Sequence, residues 1–355
     1  MTDILVCLHD FSRGGTERIA IGLARDWTDA GHVVTILGGS QAGGLREAVD
    51  PRVRVITLSP PVERSPLSRM RLGNAMSAQA AALKPRIIFL PGNFHLPLAP
   101  ALRAAAPGAK IVMKVSNPPL PGGISDIAVA PLFRHFAYAV DGFAALSADF
   151  AAETEHLAPG KQIKVLHDPV YLGNEAGMTI TVRPGICNLL WAGRLEPQKD
   201  VGLALEVLKV LDTPAHLIIL GDGRLRGWAG QQVERLGLAD RVTLAGAVPT
   251  IDPYLTSSDL LLLTSRYEGQ PAVVGESLAH GVPVVATDCA SVLRDMIAIP
   301  EAGRVVAGRD PRALAQAVTE VCRARRPPRE KLAALVAAYA PQACAQAYLD
   351  WFAIL

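Results

Sequence analysis

The sequence predicts two doubly wound α/β domains, each a parallel sheet covered by helices on both faces. Three observations carry this expectation. Short apolar runs alternate with helical patterns almost from end to end. The runs themselves show no polar–apolar alternation, as strands buried on both faces should not. The series also starts afresh after Asp168-Pro169. A chain of 355 residues is long enough for two ordinary domains with a core in each. Half of its residues are hydrophobic and 19% are charged, which excludes a disordered or fibrous protein.

The first series of predicted strands comprises Ile4–Leu8, Val33–Leu37, Arg86–Leu90, Ile111–Val115, Phe143–Leu146 and Ile163–Leu166. After the first of these, Gly14-Gly15-Thr16-Glu17 opens a helix in which Ile19, Ala20, Leu23, Ala24 and Trp27 recur at helical spacing. Ala30-Gly31-His32 closes it with a glycine. The stretch 168–185, with its prolines, glycines and Asn174, reads as a linker. The second series comprises Ile186–Trp191, His216–Leu220, Val242–Ala245, Leu260–Leu263, Val282–Ala286 and Arg304–Val306. Pro327-Pro328 interrupts the last helices, and 341–355 reads as one amphipathic helix. The expected domains are therefore 1–170 and 171–340, followed by the closing helix. In such sheets ligands bind beyond the carboxyl ends of the strands, so two domains facing each other would enclose a cleft.

Asp3 is acidic, no basic run precedes the first apolar stretch and no small-residue cleavage site follows, so no signal peptide is expected. No run of about 18 apolar residues occurs. The richest stretch, 124–148, is broken by Asp126, Arg134, His135 and Asp141. Cys7, Cys187, Cys289, Cys322 and Cys344 are scattered, odd in number and form no CxxC. They read as buried, reduced thiols of a cytoplasmic protein, neither disulfide staples nor metal ligands. The net charge of +2 conceals an asymmetry. Residues 51–125 hold ten Lys or Arg against Glu63 alone, a local +9, leaving −7 for the rest. Such a segment suits an anionic surface or substrate, or simply a solvated basic face. Its few aromatics argue against stacking on nucleic-acid bases. Within it, 66–83 reads as a helix bearing Arg69 and Arg71 with apolar Leu67, Met70, Leu72 and Met76, a pattern suited to peripheral contact with anionic lipid.

The most informative stretch for chemistry is Glu268-Gly269-Gln270-Pro271-Ala272-Val273-Val274-Gly275-Glu276. It follows a predicted strand and opens a helix at Pro271, where the first turn tolerates proline. The amides of Gln270, Ala272 and Val273 would form an anion site at the helix start. Glu276, more than a turn inside, could take two ribose hydroxyls, and Glu268 on the loop could hold sugar hydroxyls. By itself the pair could equally be two surface glutamates. Gly193-Arg194-Leu195-Glu196-Pro197-Gln198-Lys199-Asp200 follows another strand and places two cations where a diphosphate could be clamped, or merely supplies loop charge. Leu220-Gly221-Asp222-Gly223 follows a third strand, but Arg226 rules out a GxGxxG dinucleotide fingerprint.

Together with Gly14-Gly15-Thr16-Glu17-Arg18, His167-Asp168-Pro169 and Ala279-His280-Gly281-Val282-Pro283, these elements resemble glycosyltransferase family four, whose members have the GT-B fold. The resemblance covers nearly the whole chain and rests on the order and spacing of five elements. It implies two Rossmann-like domains facing a cleft, with a C-terminal helix around Tyr348 and Trp351 crossing back to the first domain. It implies that Arg194 and Lys199 bind the donor diphosphate, that Glu276 holds the nucleotide ribose, and that Glu268 with Gly269, Gln270 and Pro271 meets the donor sugar and phosphates. Gly14, Gly15, Gly193, Gly221 and Gly223 would complete the donor site, with catalysis resting on Arg194, Lys199 and Glu268. The first domain would bind a glycan or lipid-linked acceptor. Relatives often place a histidine after the strand corresponding to Ile111–Val115, where this chain has Ser116-Asn117-Pro118. Ser116 or Asn117 are the candidates for that role, with His9 and His95 as weaker ones. No Asp-x-Asp occurs, so no metal and no cofactor are expected beside the nucleotide-sugar substrate. The expected activity is retaining, metal-independent hexosyl transfer from a UDP- or GDP-sugar in lipopolysaccharide or polysaccharide synthesis at the inner membrane face. The alternatives are a nucleotide-sugar epimerase and a non-catalytic sugar-nucleotide-binding protein.

Overall fold

A computed structural model describes residues 3–12, 14–65, 68–120, 123, 126–173, 180 and 182–355. Of the sequence expectations above, Pro66 and Leu67 of the basic helix, Ser125 at the end of the basic segment and Asn174 of the linker lie outside the described residues. The chain divides into two compact units, Met1–Pro169 with Pro341–Leu355, and Val170–Ala340.

In unit 1 the strands are β1 (Asp3–Leu8), β2 (Val33–Gly38), β3 (Arg54–Thr57), β4 (Ile87–Leu90), β5 (Lys110–Val115), β6 (Gly142–Ala145) and β7 (Gln162–Val165). The helices between them are α1 (Gly15–Asp29), α2 (Ser68–Leu83), α3 (Ala99–Ala105), α4 (Asp126–Ala137) and α5 (Ala148–Leu157). The sheet order is β3-β2-β1-β4-β5-β6-β7, with parallel pairing throughout. Central β4 is buried at every position, as an unalternating strand covered on both faces must be. β3 goes beyond the sequence reading. It is a half-exposed edge strand with β2 as its partner, so it carries no apolar run to betray it. α1 ends as expected: Gly31 at φ +86 lets the His32 amide reach the Trp27 carbonyl at 3.0 Å and its own amide reach Thr28 at 3.0 Å.

Unit 2 is built from β8 (Cys187–Ala192), β9 (Ala215–Leu220), β10 (Val242–Gly246), β11 (Leu260–Leu263), β12 (Val284–Thr287) and β13 (Gly303–Val306). Its helices are α6 (Val201–Val210), α7 (Arg226–Arg235), α8 (Asp252–Ser257), α9 (Ala272–Ala279), α10 (Val292–Met296), α11 (Pro311–Arg323) and α12 (Arg329–Ala333). Its parallel sheet runs β10-β9-β8-β11-β12-β13. Two apolar clusters cover the two faces, one centred on Leu189, Leu205 and Val318, the other on Leu261, Leu278 and Met296. The last helix, α13 (Pro341–Ile354), belongs to unit 1. Tyr348 and Phe352 pack their rings on Trp27 at 5.9 and 5.5 Å between centroids, and Tyr348 meets Phe89 at 5.6 Å. Gly142 admits Trp351 so closely that a Cβ there would stand 2.7 Å from the indole.

The cysteine expectation is corrected at one pair. Cys187, the first residue of β8, and Cys322, near the end of α11, form a disulfide. They lie 135 residues apart in sequence, and only the fold brings them together. Cys7, Cys289 and Cys344 are buried free thiols, each pushed up to about 12 by burial. Among the described residues no helix is long and apolar enough to cross a membrane.

Candidate functional site

In a doubly wound sheet the loops diverge where the strand order reverses, and ligands bind there beyond the carboxyl ends. In unit 2 that point lies between β8 and β11. The loop after β8 carries Gly193 to Asp200, and the loop after β11 carries Thr264 to Pro271. Both stretches singled out in the sequence therefore meet at one place for a topological reason.

The loop after β8 is stitched to the one after β9. Gly193 N–H donates to the Leu220 carbonyl at 3.1 Å, Leu195 N–H to Asp222 at 2.9 Å, and Leu225 N–H to Leu195 at 2.9 Å. Gly221, at φ +122, leaves only 1.9 Å between an added Cβ and the Gly193 oxygen; Gly223, at φ +155, leaves 2.6 Å to that of Leu195. These glycines let two loops touch. Leu195 is buried beneath, while Arg194 points outward, exposed and without a side-chain hydrogen bond or ion pair among the described residues. Lys199 is half-buried, its stem in contact range of Gly193. Its ammonium donates to Glu268 Oε1 at 2.5 Å.

Glu268 is buried, and a buried carboxylate must be paired or hydrogen-bonded to remain charged. Lys199 and the Ser265 hydroxyl, at 2.6 Å, both donate to its Oε1. The Glu268 amide is tied to the Cys289 carbonyl at 2.8 Å. Gly269 and Pro271 are buried and Gln270 half-buried. The sequence reading opens α9 at Pro271, but Pro271 is its N-cap and the helix starts at Ala272; the Pro271 carbonyl accepts from the Val274 amide at 3.0 Å. The first amides of α9 are left without partners inside the helix by its geometry. Glu276 is buried within α9. Gly275 beside it packs so tightly that a Cβ would meet Val170 at 2.4 Å. His280 is a buried packing residue, its ring 2.7 Å from the Glu276 carbonyl and 3.2 Å from Asp252.

The corresponding point of unit 1 lies between β1 and β4. Gly14 precedes α1 in extended backbone, and an added Cβ at Gly15 would meet open space. The helix start already has its own anion. Glu17, in the first turn, is buried and accepts from Arg64 at 2.5 Å. Arg64 also pairs with Asp10. Burial raises the Asp10 carboxyl, but hydrogen bonds from Arg64 and Ser12 outweigh it and hold it well below the usual carboxylate range. His9 is fully buried between Asp10 at 3.2 Å and Ser68 at 3.1 Å, and burial lowers its pKa. His95 is equally buried, its pKa pushed down to about 3 by burial. Neither ring is accessible to a sugar. Ser116 is half-buried and Asn117 exposed. Asn93, which the sequence reading passed over, clamps both: its Oδ1 accepts from the Ser116 amide at 2.9 Å, and its Nδ2 donates to the Asn117 carbonyl at 3.0 Å. Its place just after β4 was the available signal.

Several cations of the 51–125 segment are already paired. Arg52 meets Asp29 and Asp50, Arg64 meets Asp10 and Glu17, Arg103 meets Asp141, and fully buried Lys114 meets Asp168 at 2.7 Å. Arg69 and Arg71 stay exposed on α2, and Arg69 lies 4.5 Å over the Phe94 ring. Leu72 and Met76, expected to flank them, face the core, while Met70 is 60% exposed.

Comparison with known proteins follows the same division. Residues 13–173 match the family model described as Glycosyltransferase Family 4, and residues 187–324 the model described as glycosyl transferases group 1. The amylovoran biosynthesis glycosyltransferase AmsD of Erwinia amylovora is 30% identical over 112 residues, 30% of this chain and 32% of that protein. The N-acetylgalactosamine-N,N'-diacetylbacillosaminyl-diphospho-undecaprenol 4-alpha-N-acetylgalactosaminyltransferase of Campylobacter jejuni is 31% identical, over 33% of this chain and 32% of that one. The matched segments thus span about a third of these curated relatives. Among solved structures, Anabaena HepE in complex with UDP and glucose superposes with a TM-score of 0.83 at 16% identity, covering 100% of both chains. The apo form of the lipopolysaccharide outer core galactosyltransferase WaaB gives 0.77 at 17% identity, covering 99% of this chain and 100% of that one.

Proposed function

The chain belongs to the family-four type of glycosyltransferase with the GT-B fold, and from that premise we propose that it transfers a sugar from a nucleoside-diphosphate donor to a glycan or lipid-linked acceptor. The observation that carries this reading is the Lys199–Glu268 pair where the strand order of unit 2 reverses, with exposed Arg194 on the Lys199 loop and buried Glu276 on the helix that follows the Glu268 loop. An ammonium has three donors. One is engaged by Glu268, which leaves Lys199 able to hold a phosphate without releasing the carboxylate. Both hydrogen bonds to Glu268 fall on Oε1, which leaves Oε2 for a sugar hydroxyl. Glu276 would take the ribose hydroxyls.

As the bond from the sugar C1 to the phosphate oxygen breaks, negative charge grows on the diphosphate. Lys199, Arg194 and the first amides of α9 are preorganised donors for that charge and need no metal ion to act. The acceptor oxygen bonds to C1 from the face the phosphate leaves, and its proton passes to a departing phosphate oxygen. The configuration at C1 is then retained, and no side-chain base is required, which suits a unit 1 whose candidate histidines, His9 and His95, are buried. HepE was solved with UDP, and relatives act on undecaprenol-linked or lipopolysaccharide acceptors, so UDP-sugars and lipid-linked glycans are the first substrates to test. The test is transfer of labelled sugar to such acceptors, with the anomeric configuration of the product read by NMR. Retained configuration supports the reading. Inversion would refute the mechanism. An isomerised donor without transfer would favour an epimerase.

A further inference from the structure

We propose that Arg309 is a positioning residue for the donor diphosphate, joining the turn that carries Lys199 to the loop that carries Glu268. Arg309 lies beyond β13, 109 residues from Asp200 and 44 from Ser265. One face of its guanidinium donates to Asp200 Oδ2 at 2.7 Å. The same fork reaches the Ser265 carbonyl at 2.8 Å and the Thr264 carbonyl at 2.9 Å. Asp200 follows Lys199 directly, and Ser265 is the residue whose hydroxyl holds Glu268. One planar cation therefore ties both sides of the Lys199–Glu268 pair.

The conformation of Asp200 shows that this turn is held from outside. Its φ of +46 is in the left-handed region, which non-glycine residues rarely enter. Such a conformation persists only where the surroundings over-determine it. The Thr264 hydroxyl donates to the Asp200 carbonyl at 2.8 Å, and Trp191 donates to that hydroxyl at 3.0 Å. Arg266 adds a second ion pair to Asp200 at 2.8 Å, but its side chain is 57% exposed, against 32% for Arg309. Screening leaves the more buried pair as the stronger constraint. A lysine at 309 could reach Asp200 but not also span both carbonyls, because it lacks the planar fork. Without Arg309, Lys199 and Glu268 would still be present, but the position of the ammonium would be less defined.

This rests on the donor-site reading above, and the experiment separates the two. Calorimetry compares UDP with UMP, and GDP with GMP, on the wild-type chain and on Arg309→Ala. The wild type should prefer the diphosphate. Partners that orient metal-ligating groups are worth about 10-fold or more in affinity; by the same logic Arg309→Ala should lose about tenfold for the diphosphate while the monophosphate is little changed. Arg309→Lys should recover part of the loss. Asp200→Gly keeps the left-handed backbone without the carboxylate. It should show a loss of discrimination in the same direction, and because the two residues share one contact while Asp200 also pairs with Arg266 and caps α6, the double variant should lose less than the sum of the two. It also carries the test should Arg309→Ala fail to fold. Unchanged affinities, or equal losses for mono- and diphosphate, would overturn the positioning role. A wild-type chain that binds neither UDP nor GDP overturns the donor-site reading itself.

Discussion

Units 1 and 2 use the same parallel architecture and present loops at the same topological position, after β1 and β4 in one and after β8 and β11 in the other. What they place there differs. Unit 2 leaves Arg194 exposed and Lys199 half-buried, with buried Glu268 paired to Lys199. In unit 1 the cation at that position is already paired, Arg64 being shared by Asp10 and Glu17, and His9 and His95 are buried. The fold decides where a ligand can sit, and the loops decide its charge. An anionic diphosphate suits unit 2. Unit 1, with its local charge compensated, offers the Ser116–Asn117 turn and neutral hydrogen-bonding groups, which suit hydroxyl-rich acceptors.

The largest expected effect tests the open cations. Removing one donor to developing charge typically lowers turnover about 100- to 1000-fold, and this is expected for Lys199→Ala and Arg194→Ala in a transfer assay. Near-normal turnover would show that unit 2 is not used as described. Next come the glutamates. Charged hydrogen bonds contribute about 1.5–3 kcal/mol, so Glu276→Ala should weaken nucleoside-diphosphate binding roughly tenfold or more. Glu268→Ala should spare it, since Glu268 is assigned to the sugar and Lys199 keeps its remaining donors for the phosphate. Equal losses by calorimetry would refute this division of labour.

A smaller effect belongs to unit 1. Asn93→Ala strips the Ser116–Asn117 turn of its clamp. It should lower stability by about 1–2 kcal/mol and raise the acceptor KM several-fold while leaving donor affinity alone. A change in donor affinity in its place would blur the contrast between the units. The smallest effect concerns membrane contact, which we retain as a proposal on exposed Arg69 and Arg71. Each cation near anionic lipid contributes about 1 kcal/mol. Arg69→Glu with Arg71→Glu should reduce co-sedimentation with anionic vesicles at low salt. No preference for anionic over neutral vesicles would remove that proposal and leave the enzymatic one intact. Arg64 is unsuitable for this test, because its charge is already paired with Asp10 and Glu17.

Among the described residues twelve of the thirteen strands were legible, most of them as apolar runs that the fold buries. β3 was not, since an edge strand half-open to solvent needs no such run. The residues proposed for the donor side of unit 2 stand out as motifs because all but Glu276, inside α9, lie in short loops after strands. Their support was not legible: Arg309 meets Asp200 across 109 positions, and Cys187 meets Cys322 across 135, separations that only packing resolves. His9 and His95 were misjudged for a related reason. A histidine after a strand looks available until the neighbouring loops close over it.

The central claim is that unit 2 binds a nucleoside-diphosphate sugar through Lys199, Arg194, Glu268 and Glu276. Thermal denaturation against a panel of UDP-, GDP- and ADP-sugars tests it directly, because a ligand that binds only the folded state raises the melting temperature. At least one sugar nucleotide should raise the melting temperature of the wild-type chain in a concentration-dependent way, and the shift should vanish in Lys199→Ala. No shift from any donor at millimolar concentration, or an undiminished shift in the variant, would contradict the account.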